Sequence, residues 1–233
     1  MPVRQTRRHP VWLLVAFWVS IAIALAAVAR RMAALVHPSS GGPPQMAGLD
    51  AVFSSHAALT FAHIIPAAVF VVLAAVVLLR RSRNNWLERL FFVFGAVTGI
   101  TAYAMVGYAI GGWVERSAVL IFDTWFLISL ANAYRYRETA RGREWSTRAV
   151  GILLGIATTR PVMGAFFATS RATHLEPSQF FGFAFWIGFS INAIAVELWL
   201  RSRRRAKVNG PLSRELESES SGSGSLRAHQ ISH

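Results

Sequence analysis

The sequence predicts an all-α integral membrane protein, a bundle of six transmembrane helices with both termini in the cytoplasm. Three observations carry this. Apolar runs of membrane-spanning length recur at about 11–29, 52–79, 90–113, 117–134, 149–169 and 179–200. Hydrophobic residues make up 54% of the chain and charged residues only 15%. The basic residues fall in short segments between the runs, heavy and light by turns. Each run approaches or exceeds the ~20 residues a helix needs to cross hydrocarbon. Backbone polar groups find no partner in lipid, so the runs must be helices.

The first run follows Arg4, Arg7 and Arg8, and Ala27-Val28-Ala29 resembles a signal-peptide cleavage site. Its apolar stretch exceeds the ~7–15 residues of a signal h-region, so it is read as a retained span. The connection "HPSSGGPPQMAGLD" is rich in glycine, proline and serine and reads as a loop. The second run carries His56, His63 and Pro66. The third holds "FGAVTGITAYAMVGYAIGG", with Gly95, Gly99, Gly107 and Gly111 at the spacing that lets helices pack closely. The fourth contains Asp123 and Asn132. The fifth contains "GIATTRPVMG", which sets Arg160 beside Pro161 in the middle of a span. The sixth contains Asn192 and ends near Glu197.

Orientation follows from the arginines and lysines. Arg4, Arg7 and Arg8 precede the first run, and Arg80, Arg81, Arg83 and Arg89 follow the second. Arg135, Arg137, Arg141, Arg143 and Arg148 follow the fourth, and Arg201, Arg203, Arg204, Arg205 and Lys207 follow the sixth. The alternate connections hold Arg30, Arg31, Arg116 and Arg171. This asymmetry of seventeen to four places both ends inside, which requires an even number of spans. Residues 1–10 then form a cytoplasmic N-terminus, 11–201 the transmembrane domain, and 202–233 a tail that is first basic and then disordered by composition.

A formal net charge of +13 suggests nucleic acid, but a nucleic-acid domain gathers its basic residues on one face of a soluble fold. Here they flank spans, so the expected partners are the bilayer and anionic lipids at its cytoplasmic face. The absence of cysteine excludes disulfides, thiol catalysis and iron–sulfur centres. No serine elbow, phosphate-binding glycine loop or zincin helix is present, so a binding or transport protein is expected rather than an enzyme.

Ionisable residues inside a membrane are costly, usually paired and often functional. From a rise of 1.5 Å per residue, His63 and Arg160 lie roughly 16 Å into their spans, Asp123 roughly 9 Å and Asn192 roughly 20 Å. Arg160 and Asp123 are expected to pair, because each offsets the other's desolvation. His63 and Asn192 would add hydrogen bonds. Pro66 and Pro161 would bend their helices and free backbone carbonyls, with Thr158 and Thr159 available to satisfy them. The expected site is therefore His63, Asp123, Arg160 and Asn192, with Glu197 lower down, around a possible small-molecule ligand. Two alternatives stand beside this. One is a redox protein binding haem b or a quinone, with His63 as a haem ligand. The two intramembrane histidines share one helix, so a second axial ligand would have to come from a loop, such as His174. The other is a non-catalytic scaffold in which the polar residues only hold helices together.

Three stretches in order, "LTFAHIIPAAVFVVL", "REWSTRAVGILLGIATTRPVM" and "FWIGFSINAIAVELWLR", resemble the bacterial membrane family known as domain of unknown function 2306. The resemblance spans about residues 52–201 and implies a multi-pass protein of the bacterial inner membrane. Its characteristic polar residues would be His63, Trp86, Trp145, Arg148, Arg160, Asn192 and Glu197. The chain departs from the family pattern at Asn84 and Gly142, where relatives often carry histidine. The family implies no known activity.

Overall fold

The computed structural model describes residues 11–37, 44–79 and 84–229, without side-chain detail at 44–47, 171 and 206–229. Residues 1–10, 38–43, 80–83 and 230–233, and with them several of the topology-setting arginines, lie outside the described residues. The elements are α1 (Val11–Val36), α2 (Pro44–Ser55), α3 (Ala57–Leu79), α4 (Asn85–Met105), a 3-10 turn (Val106–Tyr108), α5 (Gly112–Arg135), α6 (Ala140–Leu153), α7 (Gly155–Thr173) and α8 (Pro177–His229). No strand occurs among the described residues. Six helical segments are long and apolar enough to cross a membrane: Val11–Val36, Ala57–Leu79, Asn85–Tyr108, Gly112–Arg135, Ala140–Ser170 and Pro177–Arg205.

Several boundaries differ from expectation, each for a local reason. The first helix runs on to Val36, so Arg30 and Arg31 belong to it. The connection expected as a loop contains the helix α2, opened by Pro44, whose missing N–H is unneeded in a first turn. The second run breaks at His56, not at Pro66, which lies inside an unbroken α3. The glycine-rich third run does not remain one helix. It turns at Val106–Tyr108, and α5 starts at Gly112, whose φ of +61° is a conformation that glycine adopts freely.

The fifth span is two helices meeting at Leu154, seven residues before Pro161. Leu154 flattens to ψ −6° and accepts a 3-10-type hydrogen bond from Ala157 at 3.0 Å. Pro161 itself lies inside α7. Thr159 satisfies the Gly155 carbonyl at 2.9 Å, as expected of a threonine beside a break.

The departures from the family pattern have structural counterparts. Asn84 caps α4 by accepting from the Trp86 backbone N–H at 3.0 Å. Gly142 packs directly against the Tyr136 carbonyl, where any β-carbon would collide. Of the other residues named by the resemblance, Trp86 is 65% exposed. Arg148 is buried with its guanidinium 4.5 Å over the Trp145 ring.

The chain forms two compact units, Met1–Ala193 and Ile194–His233. In the first, α3 packs on α4 and α1, α5 on α4 and α6, and α7 chiefly on α1. The core is aromatic: Phe70 stacks on Phe91 at 4.6 Å and meets Phe126 edge-on at 5.6 Å. Lipid tails are as apolar as these side chains, so close fit rather than the hydrophobic effect holds the helices. Small residues permit that fit. A β-carbon on Gly95 would stand 2.7 Å from Phe70, and one on Gly111 would stand 2.5 Å from the Gly182 nitrogen. Gly107 has nothing within 4 Å and takes no part. In the second unit, the helical assignment of α8 passes through the Gly/Ser-rich stretch to His229. There Arg203 lies 4.8 Å over the Trp199 ring.

Candidate functional site

One cavity of about 230 Å³ opens within the first unit. Its walls come from part of each span and from the α2–α3 junction. On α1, Ala24, Val28 and Arg31 reach it at helical spacing. Ile152, Ile156 and Arg160 do so on the fifth span, across the break at Leu154. Thr60, His63 and Ala67 line it from α3, and Glu115, Phe122 and Asp123 from α5. The wall is mainly aliphatic and aromatic, with a few polar groups converging on it, the usual character of a small-molecule site.

Three of the expected residues, His63, Asp123 and Arg160, therefore share one cavity. The expected ion pair between Asp123 and Arg160 is not formed. Asp123 Oδ2 and Arg160 Nε are both buried without a hydrogen-bond partner. The reason is in the packing. α7 packs chiefly on α1, the helix that carries Arg30 and Arg31, and Arg31 lines the same cavity as Arg160.

Those two arginines have a partner of their own. Asp50 of α2 bridges them, pairing with Arg30 at 3.2 Å and more closely with Arg31. The Arg31 guanidinium also lies 4.0 Å from the centre of the Phe53 ring. This cluster secures α2 to the end of α1 and leaves Arg160 as the cavity's unneutralised cation among the described residues.

His63 Nδ1 lies 3.1 Å from Thr101 Oγ1. The same hydroxyl lies within hydrogen-bonding reach of the backbone carbonyls of Val97, at 2.7 Å, and Thr98, at 3.0 Å. The His63 ring is thereby held against α4, with its Nδ1 beside the Thr101 hydroxyl. His56 packs on Tyr108 with ring centroids 3.6 Å apart and the planes tilted by 33°, and both residues line the cavity.

Asn192 stands apart from this group. Thr158 donates to Asn192 Oδ1 at 3.0 Å, joining α7 to α8, a structural contact between helices. Glu197 belongs to the second unit. His174, the loop histidine considered as a haem ligand, caps α7 in the left-handed conformation at φ 54°. Among the described residues the cavity's histidines are His56 and His63, and no cluster of three or more metal-ligating side chains occurs.

Sequence reasoning missed Arg31, Asp50 and Glu115. Arg31 was assigned to a loop because the apolar run ends near 29, although its spacing from Ala24 and Val28 continues the helical face. Glu115 has no place among the expected site residues, since it stands at the edge of an apolar run. It is 8% exposed and accepts the Gly111 N–H at 2.6 Å, satisfying one of the free donors that open α5.

Compared with protein-family models, with curated proteins and with solved structures, the chain matches none of them.

Proposed function

We propose that this is a multi-pass protein of the bacterial inner membrane that binds a small molecule in an intramembrane cavity, as a receptor or carrier rather than as an enzyme. The observation that carries the reading is Arg160. A guanidinium held inside a span, without a counter-ion among the described residues and lining one cavity with Arg31, is costly, and bundles retain such groups where they meet a ligand. A residue that served only to join helices would have its partner on a neighbouring helix, as Thr158 has in Asn192. Asp123 and the imidazole of His63 supply further polar groups of a site with mainly apolar walls.

The orientation, with both termini in the cytoplasm and the cavity in the outer half of the bundle, is part of the proposal and rests on the arginine asymmetry. So are kinship with the domain of unknown function 2306 family, supported by the three quoted motifs, and binding of anionic lipid by the cytoplasmic arginines. The test is chemical. Protein isolated in mild detergent is extracted and the extract compared with that of Ala68→Phe, which fills the cavity wall. A co-purifying molecule present with the parent chain and lost from the folded variant supports the reading. Identical extracts from two folded proteins overturn it.

A further inference from the structure

Resting on that binding role, we propose that the cavity's ligand is a single-chain amphiphile whose anionic head, a phosphate or carboxylate, sits against Arg160, with its apolar chain along the walls from α3, α5 and α8. The charges point this way. Arg31 and Arg30 share Asp50, whereas among the described residues Arg160 lacks an anion, and its Nε lacks any acceptor. An anion at Arg160 would satisfy that donor and relieve its repulsion from the two arginines of α1. A cationic ligand would add to the repulsion, and a purely apolar one would leave the buried donor unmet.

The remainder of the cavity selects the body of the ligand. Ala67, Ala68 and Val71 of α3, Phe126 of α5, and Phe185 and Phe189 of α8 form a continuous apolar lining that offers a hydrophilic anion nothing to bind. At about 230 Å³ the cavity is below the ~300–1,000 Å³ of typical drug-sized sites, which fits one chain better than two. Asp123 adds a second requirement. Its buried Oδ2 accepts no hydrogen bond, so a hydroxyl on the ligand head would complete it.

The test uses the full-length protein in neutral detergent and three probes, read by native mass spectrometry as one-to-one adducts. The first is 1-lauroyl-glycerol 3-phosphate, with chain, hydroxyl and phosphate. The second is 1-lauroylglycerol, the same molecule without phosphate. The third is glycerol 3-phosphate, the head without the chain. The expected result is that the first binds about tenfold or more tightly than either of the others, the scale of one charge-assisted contact. Arg160→Gln should abolish the preference for phosphate, and Arg160→Lys should retain it. Equal binding of the phosphate and neutral lipids overturns the anion assignment while leaving the cavity a binding site. Equal binding of glycerol 3-phosphate overturns the amphiphile assignment. Absence of binding by all three overturns the proposed ligand class, whereas the extraction comparison with Ala68→Phe tests the binding role separately. The comparison among probes needs only the parent chain, so it decides the proposal even where Arg160→Gln fails to fold.

Discussion

Replacing Arg160 with methionine should stabilise the ligand-free bundle, the reverse of what loss of a structural contact would do. Methionine has a similar length, no charge and no donor to satisfy. The gain can be sized from the surroundings of the arginine. A buried donor without an acceptor costs about 1–3 kcal/mol, and an arginine at the centre of a spanning helix about 2.5–3.5 kcal/mol on insertion scales. Of the Arg160 nitrogens, Nε is the one buried without a partner, so the lower range applies. Arg160→Met should therefore raise unfolding free energy by about 1–2 kcal/mol. The assay is equilibrium unfolding of extensively washed protein in mixed micelles, followed by circular dichroism. A loss of more than about 1 kcal/mol would mean that the guanidinium holds helices together, and the reasoning from its missing counter-ion would fail.

Other expectations follow from close approaches and hydrogen bonds. Gly188→Ala would drive a methyl group into the Thr159 backbone, 2.6 Å from its nitrogen, and should sharply reduce the yield of monodisperse protein on size-exclusion chromatography. Gly107→Ala, with open space around it, should leave that yield unchanged. Thr158→Val removes the hydrogen bond to Asn192 and should cost about 0.6 kcal/mol in the same unfolding assay, the average for such contacts between membrane helices. Because the chain has no cysteine, single cysteines report topology directly. Leu175→Cys should react with a membrane-impermeant maleimide on intact cells, and Glu138→Cys only after lysis; the opposite pattern would reverse the orientation.

The spans were legible because each is a long apolar run with little competing signal, and lipid allows few alternatives to a helix. Their ends were not. Arg31 extends a helix beyond its apolar run, because an arginine near a helix end can pair with Asp50 on a segment that sequence alone reads as loop. The helix boundaries at His56 and Leu154 carry no comparable signal, because proline is the visible mark of a bend and Pro66 and Pro161 both lie inside continuous helices. His63, Asp123 and Arg160 were recognisable as a group from depth alone. Their pairing was not, because depth leaves open which helix faces which. α7 packs chiefly on α1, and Arg160 and Asp123 line one cavity without pairing. Asn192 carried the same signal of a polar residue in a span, yet it is spent on Thr158.

The most direct measurement is a density map of the protein in native-lipid nanodiscs, read at the Arg160 guanidinium. The expected result is density not belonging to the chain within hydrogen-bonding reach, about 3 Å, of Nε, continuing along the apolar wall toward Phe126 and Phe185. A map in which the Asp123 carboxylate has closed onto Arg160 and the cavity has disappeared would contradict it.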